Sequence, residues 1–348
     1  MDRLVDLTGG DLPQFPAVIR RTRYLFTGIV QGVGFRPFIY RTAREYGLTG
    51  WVQNRADGVW AEVEGTASAL AAFKEDVISN PPPLAEVAIS LAVDLLPTGE
   101  GGFQILESEG GEARKVHISP DIAVCDDCLA ELFNPADRRH RYPFINCTNC
   151  GPRLTIINDI PYDRARTSMA CFPMCPACRQ EFEDPANRRF HAEPNACPAC
   201  GPKLRLLDGD GQAIPTADPL RKAVAALKQG DIVAVKGLGG FHLAVDATNE
   251  EAVQKLRARK LREEKPFAIM VRDLAAAREI TDISFEEERL LQTPQRPIVL
   301  LHKKDQAAIA SSVAPGVDTF GVMLPYTPLH HLLLQEFQAL VMTSANKS

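Results

Sequence analysis

F-T-G-I-V-Q-G-V-G-F-R, residues 26–36, places Gly28, Gly32 and Gly34 within seven residues and follows them with Arg36. An apolar strand pattern leads into the glycines, over about 20–30, and a helical pattern leaves them, over about 36–46, with Phe38, Ile39 and Ala43 among its apolar positions. A helix N-terminus presents unpaired N–H groups and a partial positive charge, so an anion docks there without a dedicated cation. Glycines let the backbone of Gln31, Gly32, Val33, Gly34 and Phe35 curl until its N–H groups converge on one point. Arg36, in the first helical turn, adds a planar fork for two oxygens. Neither G-x-x-x-x-G-K-[ST] nor G-x-G-x-x-G occurs here, so which anion such a loop would hold stays open at this point. The plain alternative is a strand–helix turn beside a surface arginine.

Outward from this loop, L-T-G-W-V-Q-N and V-W-A-E-V-E-G read as two strands joined through Ala56-Asp57-Gly58, where Asp-Gly is a strong hairpin signal. A helix over 67–79 is stopped by Asn80-Pro81-Pro82-Pro83, and a strand follows over about 86–96. The order β-α-β-β-α-β predicts a ferredoxin-like α+β unit, an antiparallel sheet with both helices on one face. The glycine-rich stretch 97–120 reads as a linker, and the first eighteen residues as a flexible arm.

Nine cysteines follow a different logic. Eight form four C-x-x-C pairs, and the odd total argues against a closed disulfide framework. Cys125, Cys128, Cys147 and Cys150 recur fifty residues later as Cys175, Cys178, Cys197 and Cys200. Pro135-Ala136, Arg138-Arg139, Gly151-Pro152 and Leu154 recur at the same offset, which marks a duplicated unit. Each half supplies four thiolates at zinc-ribbon spacing, so two structural Zn²⁺ sites are expected, each contributing about 10 kcal/mol or more to folding. Whether each ion is held within one repeat or across both stays open. His140 and His191 are expected in surface or packing roles, and Cys171 as a small buried thiol.

From about 216 the pattern becomes α/β, with strands at I-V-A-V-K-G, G-L-G-G-F-H-L, K-P-F-A-I-M-V, P-I-V-L-L-H-K and A-L-V-M-T-S-A-N between helices. Lys236 before Gly237, Gly239 and Gly240 makes a second anion-friendly turn, and Lys260, Arg262 and Lys265 gather cations at a helix end. The bland reading of that cluster is a helix-dipole partner on a solvated face.

The loop, taken with G-W-V-Q-N-R-A-D-G at 50–58, resembles the acylphosphatase signature. That resemblance implies that Arg36 binds the phosphoryl group with the loop amides and that Asn54 orients the attacking water. An acyl phosphate is an activated anhydride, so positioning and charge stabilisation can suffice without a strong base. Lys236, the K-x-R-x-x-K-P run and Ser344-Ala345-Asn346 resemble the YrdC-like nucleotide-binding domain. This implies phosphate contacts from Lys236, Lys260, Arg262 and Lys265 and nucleotide contacts from Ser344 and Asn346. His242 sits in the same strand–turn region, where packing is its expected role.

The series resembles the hydrogenase maturation carbamoyltransferases, as a multidomain α+β and α/β chain. Expected divisions are 1–18, an arm; 19–108, acylphosphatase-like; 109–206, duplicated zinc ribbon; and 207–348, a YrdC-like mixed-sheet domain. The resemblance implies carbamoyl phosphate and ATP, with Mg²⁺, as substrates, and the HypE protein as carbamoyl acceptor. It also implies a further transferase domain beyond Ser348, and last strands of the YrdC-like unit beyond it too.

Hydrophobic residues at 45%, charged residues at 24% and a net charge of −5 over 348 residues fit several folded domains without a global basic field. The N-terminal stretch lacks a signal-peptide pattern and no apolar run approaches a bilayer span, which predicts a cytoplasmic chain without membrane partners. Two rival readings remain. One is a zinc-ribbon and YrdC-like RNA-binding or tRNA-modification protein, for which the eleven Lys/Arg against seven Asp/Glu over 133–206 give only a weak basic footprint. The other is a general acylphosphatase with accessory domains.

Overall fold

The computed structural model describes residues 18–82, 84–109 and 119–346; the arm expected at the N-terminus lies, but for Val18, outside them. The first unit runs β1 (Ile19–Ile29), α1 (Phe35–Glu45), β2 (Thr49–Arg55), β3 (Gly58–Thr66), α2 (Ala67–Ser79) and β4 (Glu86–Leu95). Strand order β4-β1-β3-β2 is the ferredoxin-like arrangement read from the sequence. Phe35, Ile39 and Ala43 on α1 and Leu70, Phe73 and Val77 on α2 share one core with Tyr24, Phe26, Val59, Ala61 and Val63 of the sheet. The helical spacing of the first six and the alternation of the last five are what make that burial possible. Thr66 caps α2 by accepting from the Ala69 amide.

The expected linker over 97–120 is corrected in part. Residues Phe103–Ile105 form β5, which pairs in parallel with β2 and adds a fifth strand. Phe103 drives this, because its buried ring packs edge-on to Tyr40 at 6.1 Å between ring centres. Leu106 and Glu109 continue along β2 through amide bonds to Val52 and Asn54 carbonyls.

In the duplicated unit, α3 (Asp126–Phe133) and α4 (Pro176–Glu183) each begin one residue after the first cysteine of their repeat. The third unit contains α5 (Pro219–Lys228), β6 (Val233–Lys236), β7 (Phe241–Asp246), α6 (Glu250–Lys260), β8 (Ala268–Val271) and α7 (Leu274–Ile280). It continues with β9 (Thr281–Asp282), α8 (Phe285–Gln292), β10 (Val299–Lys303), β11 (Thr319–Met323), α9 (Pro328–Leu334) and β12 (Ala339–Ser344). The mixed sheet has order β6-β7-β12-β8-β11-β10-β9. Strand β11 escaped the sequence pattern because Gly321 interrupts a short run that is buried on both faces and so does not alternate. The final strand β12 is internal, antiparallel to both β7 and β8, and its residues 339–343 are all buried.

The duplicated unit touches both neighbours. The Ala123 and Val124 amides donate to the carbonyls of Pro294 and Tyr326 at 3.1 Å each, and Val124, Leu132 and Ile145 share a core with Val235, Leu333 and Phe337. Among the described residues, no helix is long and apolar enough to cross a membrane.

Candidate active site and metal centres

Gly32 and Gly34 both adopt left-handed backbone, φ +73° and +74°, and Gly34 is the residue from which α1 starts. Val33 and Phe35 anchor the turn by burying in the core on either side of Gly34. Gln31 ties the loop to the β2–β3 hairpin, donating to the Arg55 carbonyl at 2.8 Å and the Gly58 carbonyl at 3.1 Å. Its side-chain oxygen accepts from the Tyr162 amide at 3.0 Å, so the same residue also holds the duplicated unit against the loop.

Arg36 and Asn54 meet at this point. Arg36 is buried and donates through Nη1 to Ser108 Oγ at 3.1 Å and through Nη2 to Glu193 Oε1 at 2.8 Å. Asp163 Oδ1 lies 3.0 Å from Nη2. Asn54 Nδ2 faces the Tyr162 carbonyl at 3.4 Å, while Asn54 Oδ1 is buried with no partner among the described residues. Both side chains line one cavity of about 20 Å³ with Gln31, Gly32, Gly34 and Phe35. Arg36 supplies donors here; acceptors come from Asn54 Oδ1 and from Glu193 and Asp163 of the covering segment.

That covering segment is the part of the site that sequence reasoning missed. Tyr162, Asp163 and Glu193 belong to the zinc-ribbon unit, and Ser108 to the expected linker. Arg153 also lines the cavity; it donates to the Gly32 carbonyl and, at 2.8 Å, to that of Thr148. Burial, partly offset by Arg36, pushes the Glu193 carboxyl up to about 7. His191, packed between Phe182 and Phe190, is held down to about 3 by burial and then by Arg36, so it adds a neutral ring to the wall. The available signal was the broken repeat: Glu193 stands where the first copy has Pro143, and Tyr162 and Asp163 lie between the copies. Departures from an internal repeat mark positions that the shared framework does not explain.

The two cysteine sets assemble within, not across, repeats. A tetrahedral site with Zn–S bonds of about 2.3 Å has sulfur–sulfur edges of about 3.8 Å. Cys125–Cys147, Cys147–Cys150 and Cys150–Cys128 are 3.7, 3.9 and 3.5 Å apart. Cys175–Cys197, Cys197–Cys200 and Cys200–Cys178 are 3.8, 3.7 and 3.6 Å apart. Four thiol sulfurs at those edges fit Zn²⁺, in two closed structural sites.

The repeats nevertheless exchange their outer contacts. Arg138 of the first donates to Cys178 Sγ of the second at 3.2 Å, and Arg188 of the second donates to Cys128 Sγ of the first at 3.1 Å. Arg138 and Arg139 pair with Glu181, and Arg188 and Arg189 with Glu131. Cys171 is exposed rather than buried, a correction; it lies in a 3₁₀ turn whose buried residue is Met169. His140 is exposed.

In the third unit, register brings most of the expected nucleotide residues to one end of the sheet. Ser344 pairs with His242, Lys236 pairs with Phe241, and the Ala345 amide donates to the Phe241 carbonyl at 2.9 Å. Lys260 donates to the carbonyls of Ser344 at 2.8 Å and Asn346 at 3.0 Å. Arg262 stacks on Phe267 and donates to Thr343 Oγ1 at 3.2 Å and to the carbonyls of Lys265 and Pro266. The Lys260 and Arg262 side chains thus shape the loop they sit on, whereas those of Lys236 and Lys265 are exposed. His242 Nε2 lies 2.7 Å from the Tyr326 hydroxyl, in a packed aromatic group with His330.

Family profiles match in the same order: acylphosphatase over residues 22–105, the HypF finger over 124–157 and 174–207, and Sua5/YciO/YrdC, described as telomere recombination, over 225–348. The carbamoyltransferase HypF2 of Cupriavidus necator is 54% identical, covering 96% of this chain and 44% of that protein. The acylphosphatase of Mannheimia succiniciproducens is 46% identical over 68 residues, 19% of this chain and 74% of that protein. A crystal structure of full-length HypF in the phosphate- and nucleotide-bound form superposes with a TM-score of 0.90 at 48% identity, covering 96% of this chain and 44% of that one. The chain therefore spans less than half the length of the HypF proteins it matches. Within that span, it belongs to the HypF family of carbamoyltransferases, as an acylphosphatase unit, a duplicated zinc finger and a Sua5/YrdC-type unit.

Proposed function

We propose that this chain carries the first two steps of a carbamoyl relay. In the first, water attacks carbamoyl phosphate and releases phosphate and carbamate. Arg36 and the amides of 31–35 hold the phosphoryl oxygens, and Asn54 Oδ1 accepts a hydrogen bond from the attacking water to orient it. In the second, the carbamate oxygen attacks the α-phosphorus of ATP, giving carbamoyl-adenylate and pyrophosphate. Lys236, Lys260, Arg262, Lys265, Ser344 and Asn346 would surround the nucleotide, with Mg²⁺ accompanying it. Transfer to a cysteine of HypE belongs to a further domain of the whole protein, in a cytoplasmic setting.

The single observation that supports this reading best is the meeting of Arg36 and Asn54 in one cavity over the left-handed glycine loop, under a lid from the zinc unit. Carbamate decomposes readily in water, which is a physical reason to enclose the first site. Phosphate release from carbamoyl phosphate should fall about 100-fold or more in Arg36→Ala. Equal rates in the two proteins would overturn the first step. Pyrophosphate release that depends on both carbamoyl phosphate and ATP tests the second.

A further inference from the structure

Glu193 is a carboxyl group almost completely enclosed by protein, 4% exposed, and it lines the cavity together with the glycine loop. Its Oε2 accepts from the Arg164 amide at 2.9 Å and its Oε1 from Arg36 Nη2 at 2.8 Å. The space between the loop and this lid is about 20 Å³, close to that of one water, so an acyl phosphate enters by taking Arg36 away from its acidic partners. Asp163, whose side chain is 25% exposed, can turn to solvent. Glu193 cannot, and its Oε1 is then a buried acceptor in need of a new donor. Among the other polar groups of the lining, Asn54 offers Oδ1 inward while its amide faces the Tyr162 carbonyl, and Arg153 is engaged with backbone carbonyls, so the Tyr162 hydroxyl and the one N–H of neutral His191 are the protein donors with which a substrate N–H competes.

We propose that Glu193 selects carbamoyl phosphate over other acyl phosphates by accepting an N–H of the carbamoyl group once the phosphoryl group has taken Arg36. This rests on the acyl-phosphate reading of the cavity and adds to it the residue that discriminates. The carbamoyl amino group is the substrate's one hydrogen-bond donor, and it projects from the carbonyl carbon on the side away from phosphorus. Acetyl phosphate has the same size but places a methyl there, leaving the carboxylate unpaired. Sites built to pair a substrate N–H reject analogues lacking it far better than apolar pockets reject an extra methylene.

The test is the ratio of kcat/KM for carbamoyl phosphate to that for acetyl phosphate, read by phosphate release from the zinc-loaded chain. The wild-type ratio should be at least about tenfold, and Glu193→Leu should reduce it about tenfold or more, with Glu193→Gln intermediate because an amide keeps one acceptor. A role limited to propping Arg36 would lower both substrates together and leave the ratio unchanged. That outcome overturns the proposal, as does a wild-type ratio near one, which needs no variant to fold. Arg36→Ala, assayed in parallel, separates the two claims: loss of both substrates there with an unchanged Glu193 ratio sinks only the selectivity. A wild-type chain that hydrolyses neither substrate sinks both.

Discussion

Arg36 and Glu193 lie 157 positions apart in sequence and 2.8 Å apart in space, so the arginine is buried against a ready-made acidic partner. A lone buried guanidinium would be costly, and its acidic partners compensate it and hold it in place. Lysine supplies the charge without the fork that reaches Ser108 and Glu193 together. Arg36→Lys should therefore recover only a small part of the activity lost in Arg36→Ala, measured as phosphate release; full recovery would reduce Arg36 to a point charge. Glu193 also has a thermodynamic signature. Its folded pKa, about 7, is raised from 4.5, so its contribution to stability is complete below 4.5 and is lost as pH rises through 7. The groups facing it are Arg36, Asp163, Tyr162 and Arg164, the last through both its amide and its guanidinium. Relative to wild type, Glu193→Gln should gain stability from about pH 5 to about pH 8, read from urea midpoints. A difference that stays flat across that range would contradict the assignment.

At the scale of elements, the zinc ribbons are two copies that complete each other. The sulfur cage of each lies inside one repeat, but the cations that face its sulfurs come from the other. Arg139 is the most committed of these, fully buried and donating to the Ala196 carbonyl, Glu181, Asn195 and Cys178. Removing one partner of such a buried network costs about 3–5 kcal/mol, because the Ala196 carbonyl and Asn195 Oδ1 lose the Arg139 donor and Glu181 and Cys178 keep only Arg138 of the two arginines. Arg139→Ala should lower the unfolding midpoint strongly, and native mass spectrometry should show weaker zinc retention, first in the Cys175 set. Arg138→Ala should cost much less, because that side chain is 35% exposed and its charge is screened. Equal effects from the two would argue against the network. The same elements show why part of the site was hidden in the sequence: Phe103 turned a glycine-rich stretch into β5 and so delivered Ser108 to Arg36.

Over the whole molecule, the zinc unit is a wedge with a face on each neighbour. Gln31, Arg36 and the Gly32 carbonyl contact it from the first unit, and Pro294, Tyr326 and the core around Leu333 contact it from the third. An element of this kind can hold two pockets in a set relation, provided its own fold is held by metal. Cys128→Ser should therefore loosen the link between phosphate release and ATP use, so that pyrophosphate formed per phosphate released falls. A folded Cys128→Ser chain with unchanged stoichiometry would remove the wedge from the relay. Chelation of zinc should reproduce the effect in the wild-type chain, and zinc addition should reverse it.

What sequence alone determined is local or periodic. The glycine spacing at 28–36, the β-α-β-β-α-β alternation and the fifty-residue cysteine repeat each depend on residues near one another or on a regular offset. Those patterns were enough to place the glycine loop, both cysteine sets and the mixed α/β unit. Tertiary structure alone decided what covers the loop, because Tyr162, Asp163 and Glu193 reach Arg36 from more than a hundred residues away and belong to no motif. It also decided that each zinc cage closes within its repeat, since C-x-x-C spacing is the same for either pairing and distance in space is what distinguishes them. The burial that raises the Glu193 carboxyl belongs to this second class: it is a property of the surroundings, created when one unit folds down on another.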